Sequence, residues 1–144
     1  MPSRDATTHW VGGLNSGKGE VTLDSSNAGT FSVSFPARTG NPDGQTSPEE
    51  LIAAAHSSCL AMNLSGVLES QKLVADSIDV SAEVTLGPAK GGGLEISGIA
   101  ITLRASLPGV SAEQFAEYAA TAEQTCPVSK ALAGTTITMD AALA

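Results

Sequence analysis

The chain has few cysteines, few aromatic residues and few cations: its 144 residues include two Cys, one Trp, one Tyr, three Phe and seven Lys or Arg. Fifteen acidic residues bring the net charge to -8. Binding to a nucleic acid or to an anionic membrane requires a basic face, so this charge argues against both partners. The absence of a C-x-x-C pair excludes a thioredoxin-like motif.

Long apolar runs are also missing. The N-terminal segment MPSRDATTHW lacks the apolar core of a secretory signal, and no stretch of about 18 apolar residues is uninterrupted. The sequence therefore predicts a cytoplasmic protein without a membrane span. In that reducing compartment, a disulfide between Cys59 and Cys126 would be transient and chemical. The length predicts a single domain over residues 1–144.

The first third of the chain predicts a β-meander of three short strands joined by turns. These strands are THWVGGL, GEVTLDS and GTFSVSF, and the first two are separated by the turn NSGKG. The segment PARTGNPDGQT, residues 36–46, is rich in Pro and Gly and is predicted as a loop that carries Arg38.

A helix is predicted to begin at Ser47. Ser47 can act as the N-cap, Pro48 suits the first helical position, and Glu50 completes an S-x-x-E capping box. Residues 51–68 are apolar or small nearly all round the helix, a pattern typical of a central helix enclosed by other elements.

Five more elements are predicted after this helix: a strand at 78–86, a strand from 94 to 107 with a bulge at Gly98, a helix from Ser111 to about Gln124, a short helix from Cys126-Pro127 to Gly134, and a strand at 135–141. The order is βββ-α-ββ-α-α-β. Strands grouped in runs favour an α+β fold with an antiparallel sheet over alternating βαβ units.

Two motifs offer alternatives that the residues support poorly. The stretch GGLNSGKG nearly matches a phosphate-binding P-loop, but Gly19 replaces the Ser or Thr and a strand follows instead of a helix, so a hairpin turn is favoured. His56, Cys59 and Cys126 could supply three zinc ligands, but no fourth ligand is evident. His56 alone is more typical of a hydrogen-bonded structural residue.

The two cysteines are the strongest lead. For Cys59 alone, the favoured interpretation is a small hydrophobic residue of a buried helix. Cys126 precedes Pro127 and so lies at or beside a helix N-cap, where unpaired N–H groups favour a thiolate. The pair could act as a nucleophile and a resolving thiol, provided that the fold brings them together.

The run TSPEELIAAAHSSCLAMNL and the later TCPVSKAL together resemble the osmotically inducible protein C and organic hydroperoxide resistance (OsmC/Ohr) family of thiol peroxidases. The early HW, the GKG turn and the SFPAR segment are similar to the OsmC branch. Ser47 stands where the family pattern has Asn, a change that keeps the N-cap.

This resemblance implies an OsmC-like fold, an intertwined homodimer and organic hydroperoxides as substrates. Cys59 would be the thiolate that attacks the peroxide and becomes a sulfenic acid, and Cys126 would resolve it as a disulfide. An external dithiol of the lipoyl type would restore the thiols, and no bound cofactor or metal is expected. The apolar surroundings of Cys59 favour hydrophobic peroxides.

Two further site residues, Arg38 and Glu49, are predicted from the charge that Cys59 needs and from the resemblance. A thiol with an ordinary pKa of about 8.5 is mostly protonated at neutral pH, and burial raises the pKa further, so Cys59 needs a cation. Arg38 is the best placed of the cations, because a guanidinium can hydrogen-bond both the thiolate and the peroxide. The family's arginine-orienting carboxylate falls at Glu49, although a charge in a helical first turn is the alternative interpretation.

Helix geometry separates Glu49 from Cys59. Ten residues correspond to about 15 Å along the axis and about 80° around it. Glu49 and Cys59 of one chain therefore cannot share a site. This separation predicts a site made by two copies of the chain, with the helices antiparallel across a two-fold axis.

Two rival functions remain open. Cys59 could perform acyl transfer or hydrolysis with His56 as the base, in which case Cys126 would be dispensable. The chain could instead be a non-enzymatic protein that binds a small ligand, with two inert cysteines.

Overall fold

The computed structural model describes all residues from 1 to 144. The chain forms two compact units, residues 1–51 and residues 52–144. The helix predicted to be central begins in the first unit and continues into the second. A single domain over the whole chain stays a prediction.

The first unit contains the predicted β-meander. Strands β1 (Thr7–Val11), β2 (Lys18–Thr22) and β3 (Thr30–Val33) pair antiparallel in the order β1-β2-β3. A Cβ at Gly17 would collide with the carbonyl oxygen of Gly13 and with the Trp10 ring, so the turn before β2 requires glycine there. Because Val11 pairs with Lys18, residues 12–17 form a hairpin turn, and a strand rather than a helix follows, so the stretch is not a P-loop.

The prediction of an irregular loop around Arg38 was wrong over one helical turn. Helix α1 spans Phe35–Thr39, and the hydroxyl of Ser34 caps it by accepting the Ala37 N–H at 3.3 Å. Pro36 lies in its first turn, where the missing N–H costs no hydrogen bond. The segment therefore carried a Ser cap and a Pro, both helix-start signals.

The remaining elements follow the predicted order: α2 (Pro48–Ser70), β4 (Ser77–Pro88), β5 (Leu94–Ser106), α3 (Ala112–Thr125), α4 (Pro127–Ala131) and β6 (Ile137–Leu143). Only half of the predicted capping box of α2 forms. The Ser47 hydroxyl accepts the Glu50 N–H at 3.1 Å, but the Glu50 carboxylate accepts the Thr46 hydroxyl at 2.6 Å. The box at the start of α3, between Ser111 and Gln114, is complete.

The second unit contains a sheet of order β4-β5-β6. Thr85 pairs with Gly98 and Leu86 with Ile96, so Ser97 is the extra residue of a bulge beside the predicted position. Strands β4 and β5 are antiparallel, whereas β5 and β6 are parallel, which corrects the expectation of a purely antiparallel sheet. The parallel pair is possible because α3 and α4 form the long crossover that parallel strands need.

The core of the second unit lies between α2, α3 and the sheet. One stripe of α2, Leu60, Leu64 and Leu68, is fully or almost fully buried with residues of β5 and α3. The other faces of α2 are less covered within one chain, and Met62 is 69% exposed. Helix α2 is long and apolar enough to cross a membrane, but 22% of its 18-residue apolar window is buried in the chain, and one such helix is weak evidence for a span.

Replacing Leu64 by Ala tests the burial of α2. Because Leu64 is 0% exposed, we expect the free energy of unfolding to fall by about 2–5 kcal/mol, measured by chemical denaturation. Val74→Ala is the control: its side chain is 78% exposed, and its loss should change stability by less than about 0.5 kcal/mol. Equal effects of the two changes would contradict the packing.

Candidate active site

The fold brings the two cysteines of the chain into contact. Cys59 lies in the middle of α2, and Cys126 is the N-cap of α4. Their Sγ atoms are 3.1 Å apart, although the residues are 67 positions apart in sequence. Both are free thiols, Cys126 fully buried and Cys59 half-buried. The gap exceeds the length of a disulfide bond by roughly 1 Å, so a small movement would let the bond form.

Asn63 holds the elements that carry this pair. It lies one helical turn after Cys59, and its side-chain amide donates to the Ala122 carbonyl at 2.6 Å and to the Thr125 hydroxyl at 2.7 Å. These bonds fix the end of α3 against α2 immediately before Cys126. Sequence reasoning missed Asn63, whose signal was a single amide on an otherwise apolar or small stretch of helix, four residues after a cysteine.

The two thiols differ in acidity. Burial raises the pKa of Cys59, the hydrogen bond with Cys126 raises it further, and the Val128 N–H opposes both only in part. Burial also acts to raise the pKa of Cys126, but the Ser129 N–H, the Cys59 thiol and the Ser129 hydroxyl outweigh it, so the pKa of Cys126 is lowered. Of the two thiols in one chain, Cys126 is therefore the more acidic.

Cys126 is the N-cap of α4, as Pro127 predicted. The lowered pKa of Cys126, however, has a more local cause than a helix dipole. Helix α4 has only five residues, and the Cys126 thiol makes no capping hydrogen bond. The nearby N–H groups of Ser129 and Val128 contribute to the lowered pKa of Cys126. Ser129 is the second residue that sequence reasoning missed.

His56 is fully buried and contacts neither sulfur by a hydrogen bond. Its Nε2 lies 2.8 Å from the Ser129 Oγ, and its Nδ1 has no partner. Burial lowers the pKa of His56, with a smaller opposing effect of the negative Glu123, so the imidazole is neutral. No group of three or more His, Cys, Asp or Glu side chains is placed to hold a metal ion.

Arg38 and Glu49 form an ion pair within the first unit. The Arg38 Nε lies 3.1 Å from both carboxylate oxygens of Glu49, and the Arg38 Nη2 lies 2.7 Å from Oε1. The bond to Glu49 raises the pKa of Arg38. Burial acts to raise the pKa of Glu49, but the Arg38 hydrogen bond outweighs it and the pKa is lowered. Both groups are therefore charged, and the carboxylate fixes the guanidinium plane.

A separate cavity lies in the first unit. It has a volume of about 540 Å³ and is lined by residues of the meander and of α1, among them His9, Lys18, Glu20 and Pro36. None of the four predicted site residues lines it. The structure thus forms two pairs, Cys59 with Cys126 and Arg38 with Glu49, and their catalytic roles stay predictions.

The lowered pKa of Glu49 predicts a contribution to stability that depends on pH. Because the pKa is lower in the folded chain than its ordinary value of 4.5, the stabilisation is complete above that value and is lost as the pH falls through the folded pKa. We expect Glu49→Gln to lower the free energy of unfolding by about 1–3 kcal/mol at neutral pH and to flatten its decline below about pH 5.

The measurement is denaturant unfolding of the natural chain and both variants across that pH range. Glu50→Gln is the control, because this exposed neighbour makes no bond to Arg38. An acid decline in Glu49→Gln as steep as in the natural chain would contradict the ion pair.

Comparison with known proteins identifies the family of the chain. A family model described as OsmC-like protein matches residues 40–140. The chain is 36% identical over 124 residues to peroxiredoxin OsmC of Escherichia coli (strain K12), with 86% of this chain and 85% of that protein covered. Its fold is similar to that of an organic hydroperoxide resistance protein from Elizabethkingia anophelis with thiocyanate bound (29% identity, 100% of this chain and 98% of that chain, TM-score 0.79).

The organic hydroperoxide resistance protein OhrB of Bacillus subtilis has the same fold, with 26% identity, 97% of this chain and 98% of that chain covered, and a TM-score of 0.70. The family match covers well over half of the chain, and the Escherichia coli relative is similar over most of both sequences. The chain therefore belongs to the OsmC-like protein family.

Proposed function

We propose that this protein is a thiol peroxidase that reduces organic hydroperoxides to alcohols and serves in defence against oxidative and osmotic stress. The observation that carries the proposal is the 3.1 Å approach of the Cys59 and Cys126 sulfurs. The names of its relatives, a peroxiredoxin and two organic hydroperoxide resistance proteins, support the same chemistry.

In the first step the Cys59 thiolate attacks the terminal oxygen of the hydroperoxide. An S–O bond forms and the O–O bond breaks, so the sulfur loses two electrons and the peroxide gains them. The alkoxide leaves with a proton as the alcohol. Cys59 is then a sulfenic acid.

In the second step the Cys126 thiolate attacks the Cys59 sulfur. The S–S bond forms, the S–O bond breaks, and the hydroxide takes a proton and leaves as water. An external dithiol of the lipoyl type then reduces the disulfide by thiol exchange and becomes a disulfide itself. The lowered pKa of Cys126 suits this step, because the resolving group must be a thiolate.

The raised pKa of Cys59 supports the need for a positive partner in the first step. A thiol buried without a cation stays protonated at neutral pH, and Cys59 has no cationic hydrogen-bond partner. The Arg38–Glu49 pair supplies a fixed positive charge, and the Nη1 of Arg38 makes no bond to Glu49. That nitrogen is available to a thiolate and to the peroxide oxygens.

The partner that delivers this cation is a second copy of the chain. Glu49 and Cys59 are separated by about 15 Å along the single helix α2, so the Arg38–Glu49 pair of one subunit would serve Cys59 of the other. The uncovered apolar faces of α2, including Met62, would be buried in such an obligate homodimer. The apolar setting of Cys59 favours hydrophobic hydroperoxides over hydrogen peroxide.

Peroxide consumption tests the reaction. Reduced protein with a lipoyl dithiol should consume cumene hydroperoxide faster than hydrogen peroxide, by about tenfold or more if burial of the apolar group contributes about 1.4 kcal/mol or more. Mass spectrometry should detect a Cys59–Cys126 disulfide after one turnover. Cys59→Ser should abolish turnover, whereas Cys126→Ser should still reduce one equivalent and retain an oxidised Cys59.

Two other outcomes would point to the rival functions. An acyl-enzyme formed with an activated ester, and insensitive to Cys126→Ser, would support the hydrolase and contradict the peroxidase. Thiols that do not react with any peroxide would support a non-enzymatic protein.

Mixed dimers test the composite site. Chains carrying Glu49→Gln and chains carrying Cys59→Ser are co-expressed with different tags, and the hybrid dimer is purified over both. One of its two sites then combines an intact Cys59 with an intact Glu49, so we expect about half of the natural turnover per dimer. Each parent homodimer should be nearly inactive, and a hybrid no more active than the parents would contradict the shared site.

A further inference from the structure

Asn63 is a polar side chain of α2 to which the proposed reaction gives no role. It is half-buried and lies one helical turn after Cys59, on the same side of the helix. Its amide nitrogen donates to α3 twice, to the Ala122 carbonyl at 2.6 Å and to the Thr125 hydroxyl at 2.7 Å. Two short bonds from one amide make a directed link between α2 and the last turn of α3.

The last turn of α3 offers a carbonyl to this link because Pro127 follows the helix. A continuing helix would bond the Glu123 carbonyl to the N–H of residue 127, but proline has none. The Cys126 N–H binds the Glu123 carbonyl instead, at 3.3 Å, so the Ala122 carbonyl loses its ordinary donor. Ala122 is fully buried, and an unbonded carbonyl there would cost free energy. The Asn63 amide supplies the missing donor.

The Thr125 hydroxyl completes the link. It donates its one hydrogen to the Thr121 carbonyl at 2.7 Å and therefore accepts from Asn63. Thr125 directly precedes Cys126, which is the C-cap of α3 and the N-cap of α4. The backbone that carries the resolving sulfur is thus anchored to α2 through the residue immediately before it.

Two contacts therefore join the same elements one helical turn apart. The Cys59 and Cys126 sulfurs meet at 3.1 Å, and Asn63 binds the end of α3 beside them. The sulfurs must still approach by about 1 Å to form a bond, and a misplacement of that size can slow a reaction by about a hundredfold. Because the hydrogen-bonded link restricts the end of α3, it keeps Cys126 within reach of Cys59.

We infer that Asn63 is a positioning residue for the second step, which holds Cys126 where it can attack the Cys59 sulfur as soon as the sulfenic acid forms. The inference rests on the proposed peroxidase function, and Asn63 makes no hydrogen bond to either sulfur. Without the link the sulfenic acid persists for longer. A second hydroperoxide then transfers its terminal oxygen to that sulfur, which yields an alcohol and a sulfinic acid.

A glutathione redox buffer tests the positioning without any peroxide. At equilibrium with reduced and oxidised glutathione, the ratio of Cys59–Cys126 disulfide to dithiol gives the effective concentration of one thiol at the other. Asn63→Leu keeps a side chain of similar size but donates nothing, so we expect this effective concentration to fall about tenfold. Thr125→Val removes one of the two bonds and should lower it about threefold.

Thr121→Val is the matched control. The Thr121 hydroxyl binds the Glu117 carbonyl of its own helix at 2.9 Å, so its loss should leave the glutathione equilibrium unchanged. Adding Thr125→Val to Asn63→Leu should cause no further fall, because both changes break one link. Additive falls, or equal effects of Thr121→Val and Thr125→Val, would overturn the inference. The comparison of these two threonine variants decides the matter even if Asn63→Leu does not fold.

Single-turnover kinetics connect the positioning to the proposed reaction. With cumene hydroperoxide, Asn63→Leu should form the Cys59 sulfenic acid at the natural rate but the disulfide about tenfold more slowly. Excess peroxide should then leave more Cys59 as sulfinic acid than in the natural chain. Equal slowing of both steps would indicate a general structural role and contradict the inference. Because the glutathione equilibrium needs no peroxide, its failure is distinct from failure of the proposed function.

Discussion

The packing of helix α2 is the constraint on which the second unit depends. Its Leu60, Leu64 and Leu68 stripe is buried with β5 and α3, and this fixes the rotation of the helix about its own axis. The neighbouring stripe, which carries Cys59 and Asn63, then faces the junction of α3 and α4. Hydrophobic burial of the leucine stripe thus sets the position of the Cys59 sulfur beside Cys126.

The same burial is accompanied by opposite shifts in the acidity of the two thiols. An apolar setting raises the pKa of Cys59, which opposes the ionisation that thiol chemistry requires. Cys126 lies in the same core but has N–H and O–H donors around it, so its pKa is lowered instead. For Cys59 the Val128 N–H opposes the effect of burial only in part, so its pKa stays raised. The charged Arg38–Glu49 pair lies in the first unit.

Much of the fold could be predicted because the signals were local. The strands of the meander, the start of α2 at Ser47, the cap at Ser111 and the bulge beside Gly98 all follow from short patterns that hold in most contexts. Two errors had physical causes. The helix-start signal of Ser34 before Phe35–Thr39 was missed because the Pro and Gly residues that follow are typical of a loop. The parallel pairing of β5 with β6 depends on the crossover between them, and the sequence of either strand alone does not indicate it.

The sequence by itself determined the two cysteines, the apolar helix around Cys59, the N-cap position of Cys126 and the family resemblance, because each depends on residues close together in the chain. Only the tertiary structure decided that the sulfurs are 3.1 Å apart, that Arg38 binds Glu49 through two nitrogens, and that His56 reaches Ser129. These contacts join residues that are 67, 11 and 73 positions apart in the sequence. Whether residues so far apart in the sequence meet depends on the packing of whole elements.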